Sequence, residues 1–164
     1  MFKSSKLGFQ TISGFTLIEL LVVMSIIAIL SLISLFALQG ARQSARDSLR
    51  KSDLQQIASG FEIYKSDCNY YPNALPGVGS QLNGNTAPCA VGASNVYMQA
   101  RPDDVDSAKD YVYVPLPANC NTTNNCTGFR LWARLENAET LPSYCTSAPS
   151  CGTSGTCNYC IINP

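Results

Sequence analysis

Three residues near the N-terminus, Gly14, Phe15 and Glu19, have a spacing that could support chemistry between subunits. Cleavage of the bond between Gly14 and Phe15 would give Phe15 a new α-amino group, and Glu19 lies about one helical turn further along the chain. The ammonium of one subunit could then pair with the carboxylate of a neighbour inside an apolar assembly. The alternative is that Glu19 stays at the headgroup level of a membrane, where a carboxylate costs little.

Eight cysteines form a second chemical feature, and all of them lie in a stretch rich in Asn, Thr, Ser, Gly and Pro. They are Cys68, Cys89, Cys120, Cys126, Cys145, Cys151, Cys157 and Cys160. An even number of cysteines in a loop-rich region predicts up to four disulfides and an oxidising compartment outside the cytoplasm. The pairing stays open among about 105 connectivities.

Two other kinds of site compete with disulfides for these cysteines. Cys157 and Cys160 have the spacing of a redox motif, but that chemistry needs a thioredoxin-like βαβ unit, which the surrounding sequence does not show. A four-cysteine zinc site needs two close pairs, and the spacings of Cys120 to Cys126 and of Cys145 to Cys151 are too wide. Structural disulfides are therefore favoured.

A dense cluster of carboxylates lies in the segment RPDDVDSAKD. Its members are Asp103, Asp104, Asp106 and Asp110. Oxygen-rich loops of this kind can bind calcium, although the spacing fits no EF-hand. The competing interpretation, a solvated acidic turn, is favoured.

The composition excludes several classes of function. The 164-residue chain has no histidine, which removes Ser-His-Asp and Cys-His catalysis and histidine-ligated zinc. Its 11 basic and 11 acidic residues cancel, so binding to nucleic acid is not indicated. The length allows one small domain and one long additional element. No catalytic residue is predicted, and we expect a protein that is not an enzyme.

The long element begins with an apolar run from Phe15 to Leu38, in which Glu19 is the one ionisable residue. A helix of this length, at about 1.5 Å per residue, spans a bilayer core of about 30 Å. The residues before it carry Lys3 and Lys6 and resemble the basic region of an export signal. The segment 15–38 is therefore predicted to be a transmembrane helix.

Two signals conflict over the orientation of this helix. The basic residues that follow the apolar run outnumber the two lysines before it, which by the positive-inside rule would place the C-terminus in the cytoplasm. They are Arg42, Arg46, Arg50 and Lys51. Eight cysteines in a polar, loop-rich domain favour export more strongly, so this domain is predicted to be extracytoplasmic.

An amphipathic helix is predicted over residues 39–66, because apolar residues recur at three- and four-residue steps with charges between them. These residues are Leu38, Ala41, Ala45, Leu49, Leu54, Ile57, Ala58, Phe61 and Tyr64. The part of this stripe after Leu49 is expected to pack on the protein's own sheet. Gly40 and Gly60 are the weak points of the helix.

A globular head is predicted over residues 67–164. It begins with a long loop after Asp67, followed by strands at Tyr111–Pro115 and Gly128–Leu135 whose aromatic and aliphatic residues alternate. Cys120 to Cys126 is expected to form a hairpin tip or a loop between them. The stretch from Pro142 to Pro164 is predicted to be irregular and held by disulfides.

Lys6, followed by the sequence GFTLIEL from Gly14, resembles the class III signal of type IV pilins and type II secretion pseudopilins. The resemblance implies that a membrane prepilin peptidase removes the leader 1–14 and methylates Phe15, and that Glu19 guides subunit addition. The implied fold class is α+β and pilin-like. A long N-terminal helix, membrane-spanning and then amphipathic, would pack on a small antiparallel β-sheet head with disulfide-bonded loops.

Two further segments extend and limit this resemblance. The sequence YKSDCNYYP at residues 64–72 resembles the helix exit of major pseudopilins and of many small pilins. Many family members carry a proline around the twenty-second mature position, which is Phe36 here. Proline permits kinks, so its absence weakens the expectation that this helix melts locally in a filament.

The function implied is that of a structural subunit of a type IV pilus-like filament, polymerised through its N-terminal helix for adhesion, motility or DNA uptake. The implied partners are further copies of the chain, the prepilin peptidase, an inner-membrane assembly platform and, before assembly, membrane lipid. The chain would move from the inner membrane to an extracellular or periplasmic filament. No cofactor is expected apart from the calcium considered above.

Three alternatives stay open. A pseudopilin of a type II secretion system belongs to the same class. An uncleaved single-pass membrane-anchored binding protein would need neither processing at Gly14 nor Glu19. A membrane-tethered thiol-disulfide enzyme would need a free, acidic thiol at Cys157 or Cys160.

Overall fold

The structure is a computed structural model that describes residues 14–89, 91–121 and 123–163. The predicted leader, with Lys3 and Lys6, lies outside the described residues except for Gly14, and so do the side chains of Phe36, Ala37 and Ala93. The chain divides into two compact units, an N-terminal unit that ends at Gly40 and a C-terminal unit that begins at Ala41.

One α-helix, α1, runs over Leu17–Cys68 and contains 52 residues. It ends where Asn69 takes a positive φ of 65°, the left-handed conformation that commonly closes helices. The backbone amide of Asn69 still donates to the carbonyl of Lys65 at 2.8 Å, which satisfies one of the last free carbonyls. The prediction of a single long helix is confirmed.

The part of α1 that belongs to the C-terminal unit packs its apolar stripe inside that unit. Leu54, Ile57, Phe61 and Tyr64 are fully buried, whereas Leu49 is exposed. Phe61 contacts two aromatic rings of the neighbouring sheet edge-on, with centroid distances of 5.1 and 5.4 Å. The expectation that the stripe after Leu49 packs on the protein's own sheet is confirmed.

A three-stranded antiparallel sheet forms the centre of the C-terminal unit. Numbered in chain order, its strands are β3 (Val112–Leu116), β4 (Gly128–Ala133) and β5 (Tyr159–Ile162), with β4 in the middle. Leu116 pairs with Gly128 at one end of the β3–β4 ladder. The two predicted strands and their hairpin are therefore confirmed, and β5 corrects the prediction that the C-terminal stretch is irregular.

A second, two-stranded sheet lies in the region that was predicted to be a long loop. Its strands are β1 (Leu82–Gly84) and β2 (Gly92–Met98), which pair antiparallel with irregular register. The long-loop prediction is thus wrong over these residues. Gly60 packs beneath this sheet, because a Cβ there would lie 3.4 Å from the Cβ of Met98. Gly60, one of the two predicted weak points of α1, is therefore where the helix and strand β2 pack closely together.

Strand β4 is buried on both faces, and its alternating side chains belong to two separate clusters. Phe129, Leu131 and Ala133 face the cluster that contains the α1 stripe. Trp132 belongs to the second cluster, which is otherwise formed mainly by the cysteines of the C-terminal stretch. Disulfides therefore cover one side of a sheet that is too small to bury both sides with helices.

We predict that Phe61→Ala lowers the free energy of unfolding by about 3–5 kcal/mol, because it removes a fully buried ring and leaves a cavity. The matched control is Ile63→Ala on the same helix, whose side chain is 54% exposed and whose loss should cost about 0.5 kcal/mol or less. Denaturant unfolding of the full chain in detergent, followed by near-UV circular dichroism, measures both. Equal effects of the two variants would contradict the packing described.

Candidate processing and assembly site

The start of α1 is closed by a reciprocal pair of side chains, Thr16 and Glu19. The backbone amide and the hydroxyl of Thr16 both donate to Glu19 Oε2, at 2.9 and 2.8 Å. In return the backbone amide of Glu19 donates to Thr16 Oγ1 at 3.3 Å. Because Leu17 is the first helical residue, Thr16 is the N-cap and Glu19 the third helical position, and the pair forms a capping box.

This capping box gives Glu19 a partner within its own chain. The carboxylate lies in the first turn, where the positive end of the helix dipole also stabilises a negative charge. Its second oxygen, Oε1, has no hydrogen bond from the described residues and is left for a donor from outside the chain. Pairing of Glu19 with the ammonium of a neighbouring subunit stays a prediction, as do the roles of Gly14 and Phe15.

Thr16 is the residue of this site that the sequence analysis missed. The signal was present, because a Thr followed three residues later by a Glu, just before an apolar run, is the pattern of a capping box. Glu19 lies three residues after Thr16 and four after Phe15, so its spacing suits a role within the chain as well as one between chains. The structure adds a second role for Glu19 within the chain.

The apolar part of α1 is exposed. The described side chains between Phe15 and Leu35 face solvent, and Glu19 is the one ionisable residue among them. Length and composition therefore allow this helix to cross a membrane. An apolar surface of this size is unstable in water and has to be covered by lipid or by other chains.

All eight cysteines are paired in the structure, which selects one connectivity from the many that the sequence allows. The disulfides are Cys68–Cys89, Cys120–Cys126, Cys145–Cys160 and Cys151–Cys157. The first joins the last residue of α1 to the loop before β2, and the second closes the β3–β4 hairpin. Cys157 and Cys160 pair with Cys151 and Cys145 and not with each other, so they do not form the disulfide that a redox motif of this spacing uses.

A buried guanidinium, that of Arg50, joins α1 to two loops of the C-terminal unit. It binds both oxygens of Asp104, with Nε to Oδ2 at 2.7 Å and a terminal nitrogen to Oδ1 at 3.0 Å. Its other terminal nitrogen donates to Asp47 at 2.9 Å and to Glu136 at 3.1 Å. A charge buried this completely is tolerated because every side of it is paired.

The carboxylates around Arg50 are held in their charged form. Hydrogen bonds from Arg46, and after them from Arg50, lower the pKa of Glu136 from 4.5 to about 2, although partial burial opposes the shift. Burial also opposes ionisation of Asp47, but hydrogen bonds from the backbone amides of Glu136 and Asn137 outweigh it and lower the pKa of Asp47. The charged cluster therefore holds α1 against the loops that contain Asp104 and Glu136, which are distant in sequence.

Three of the four aspartates of the predicted calcium loop have separate partners among the described residues. Asp104 binds Arg50, and Asp106 lies 3.4 Å from the ammonium of Lys109. Asp103 accepts a hydrogen bond at 2.9 Å from the backbone amide of the residue that follows it. Across the described residues, no group of three or more His, Cys, Asp or Glu side chains could hold a metal ion. Calcium binding by this loop stays a prediction.

An open cleft of about 470 Å³ lies on the C-terminal unit, between the residues after α1, strand β3 and the C-terminal disulfide region. Its polar lining includes Asn73, Arg101, Asp110 and Ser150. The guanidinium of Arg101 donates to the carbonyls of Pro76 and Tyr111 at 3.3 and 3.5 Å. One cation and one anion in the same cleft suit a small polar ligand better than an apolar one.

Comparison with protein families identifies the N-terminal segment. Residues 11–35 match the family described as the prokaryotic N-terminal methylation motif. This segment contains the predicted cleavage bond, the capping box and most of the exposed apolar helix. The match establishes a type IV pilin-like class III signal and indicates a precursor of the type IV pilin or pseudopilin type. The motif belongs to structural proteins of the pilin class, whose N-terminal helix is apolar as it is here.

Comparisons of the chain with curated proteins and with solved structures give no match.

We predict that the C-terminal unit loses stability as the pH falls from about 4.5 towards 2, because protonation of Glu136 breaks its bonds to Arg46 and Arg50. The pKa of Glu136 is lower in the folded than in the unfolded chain, so its contribution is complete above pH 4.5 and lost at low pH. It amounts to at most about 3 kcal/mol.

Denaturant unfolding between pH 2 and pH 6 measures this loss in the wild type and in Glu136→Gln. The amide keeps the shape of the side chain but does not titrate, so the variant should show a shallower dependence of unfolding free energy on pH. The same dependence in both proteins would mean that other carboxylates account for the acid sensitivity.

Proposed function

We propose that this protein is a structural subunit of a type IV pilus-like filament, polymerised through α1 after a prepilin peptidase removes the leader. The observation that carries the proposal is the class III signal placed on a capped helix whose apolar surface is exposed on all sides. A helix of this kind fits first a bilayer and then a bundle of copies of itself, because both surroundings cover apolar side chains.

The N-terminal chemistry supports polymerisation rather than permanent anchoring. Cleavage after Gly14 would place a positive α-amino group on Phe15, close to a carboxylate whose Oε2 is already bonded to Thr16. The remaining oxygen can accept a charge-assisted hydrogen bond from the ammonium of a neighbouring subunit. In an apolar bundle that bond is worth more than in water, so it can fix the register between subunits.

The C-terminal unit fits the outer, exposed part of such a filament. Four disulfides and the Arg50 cluster stabilise a small unit without relying on a large apolar core. Disulfides persist in oxidising compartments, which supports an extracytoplasmic position for this unit. A pseudopilin of a type II secretion system would use the same features, in a short filament that drives secretion instead of an exposed pilus.

A second candidate function from a different class is a membrane-anchored binding protein. The polar cleft with Arg101 and Asp110 supports it, because such a cleft could take up a ligand whether or not the chain polymerises. This function needs no cleavage at Gly14, so the state of the N-terminus discriminates between the two.

We predict that the mature protein begins at N-methylated Phe15. Intact-mass and N-terminal analysis of the chain, recovered from cells that express its own membrane peptidase, measures this directly. Loss of residues 1–14 together with the mass of one methyl group is expected. A chain that still begins at Met1, or that is cut near Ala41 after the apolar run, would favour the anchored or secreted binding protein.

We further predict that Glu19→Gln lowers incorporation into filaments by roughly tenfold or more, because it removes the charge that pairs with the ammonium. Glutamine keeps the capping box, so the helix start should be preserved. Thr16→Ala is the matched control, since it breaks the capping box but keeps the charge. Filament yield in the sheared fraction, relative to the processed chain in the membrane, measures both variants.

The two variants separate the roles of Glu19. Leader removal should continue in both, and incorporation should fall mainly in Glu19→Gln. If Thr16→Ala abolishes incorporation while Glu19→Gln assembles normally, Glu19 acts through the start of the helix and the pairing between subunits is wrong.

A further inference from the structure

The hairpin loop between β3 and β4 contains two Asn-x-Thr sequences, the acceptor pattern for N-linked glycans in exported proteins. The first, Asn121 to Thr123, lies within the loop closed by the Cys120–Cys126 disulfide, and the second, Asn125 to Thr127, contains Cys126 itself. The two patterns differ in exposure and in hydrogen bonding, and these differences favour modification of the first.

Asn121 is exposed, and its side chain forms a tight local turn. Its Oδ1 accepts hydrogen bonds from the backbone amides of Thr123 at 2.8 Å and Asn124 at 2.9 Å. The backbone amide of Asn121 donates to the carbonyl of Asn124 at 2.7 Å, which closes the turn from the other side. These hydrogen bonds fix the side-chain carboxamide of Asn121 through its oxygen atom.

This geometry favours reaction at the nitrogen of the same carboxamide. Two donors at Oδ1 draw electron density towards the oxygen, which makes the Nδ2 protons of Asn121 easier to lose. Nδ2 makes no hydrogen bond within the part of the chain that the structure describes. The side chain of Thr123 is also exposed, so the hydroxyl that completes the pattern is accessible to an enzyme.

Asn125 lacks these properties. It is half-buried, and the residue after it, Cys126, is fully buried in a disulfide. The threonine of this pattern, Thr127, donates its backbone amide to the carbonyl of Leu116 at 2.8 Å and so continues the β3–β4 ladder. An enzyme would have to open the end of the sheet to bend this segment into its active site.

We propose that Asn121 is a glycosylation site, modified by transfer of a saccharide from a polyprenyl-diphosphate-linked donor. In the reaction, Nδ2 loses one proton and forms a bond to C1 of the first sugar. The bond between C1 and the diphosphate oxygen breaks, and the polyprenyl diphosphate leaves with the electron pair. No change of oxidation state is involved, and a membrane-bound oligosaccharyltransferase with its active site outside the cytoplasm is required.

The proposal goes beyond the filament function and needs only that the C-terminal unit is exported. A saccharide on Asn121 would cover an exposed tip that is rich in Asn and Thr. It would leave the buried clusters on both sides of β4 undisturbed, because Asn121 belongs to neither of them.

The test is mass spectrometry of the protein from the cells that naturally make it. Reduction, alkylation and trypsin release the peptide from Asp110 to Arg130, which contains both patterns. The wild type should show this peptide with the added mass of a saccharide, and fragmentation that keeps glycosidic bonds intact should place it on Asn121. The added mass should be lost in Asn121→Gln and Thr123→Ala.

Two variants serve as matched controls, Thr123→Ser and Asn125→Gln, and both should keep the added mass. An unmodified wild-type peptide from a chain with all its disulfides formed would overturn the proposal. So would a saccharide that survives in Asn121→Gln, since it would lie on a threonine or on Asn125. Intact-mass analysis of the same preparation before digestion gives the state of the N-terminus, so failure of this proposal and failure of N-terminal processing are distinguished.

Discussion

The exposed apolar surface of α1 is the constraint on which the rest of this molecule depends. A helix with about five turns of exposed Leu, Ile and Val side chains is unstable in water unless other apolar groups cover it. Lipid, or the apolar surfaces of other chains, would cover it. In the proposed filament, the Glu19 carboxylate at the capped helix start would favour a partner that presents a cation.

The C-terminal unit is small, so burial of apolar side chains alone provides little stability. One face of strand β4 packs on the aromatic core next to α1, and the other face packs on the disulfides around Trp132. The aromatic core provides most of the apolar burial, and the cystines cover the face that has no helix. The Arg50 cluster adds directional bonds that fix where α1 meets the loops around Asp104 and Glu136.

Much of this arrangement could be predicted from the sequence, and the failures have physical reasons. Hydropathy and a three- and four-residue periodicity gave α1, and alternation gave β3 and β4. Strand β1 was missed because Leu82–Gly84 is three residues long and contains Asn and Gly, and β5 because Tyr159–Ile162 lies within a disulfide-rich stretch. Local pattern also cannot pair Arg50 with carboxylates 54 and 86 residues away. The Thr16–Glu19 capping box, in contrast, follows from local sequence alone.

The salt bridges of the C-terminal unit also bear on membrane topology. Behind the apolar run the unfolded chain carries four cations against the two lysines ahead of it, a distribution that opposes export. In the fold, Arg46 and Arg50 bind Glu136 and Lys51 binds Glu139, and only Arg42 has no carboxylate among the described residues. Folding therefore pairs three of the four cations behind the apolar run with carboxylates of the same unit. In the extracytoplasmic orientation proposed above, these ion pairs would have to be broken before the unit could unfold and return across the bilayer.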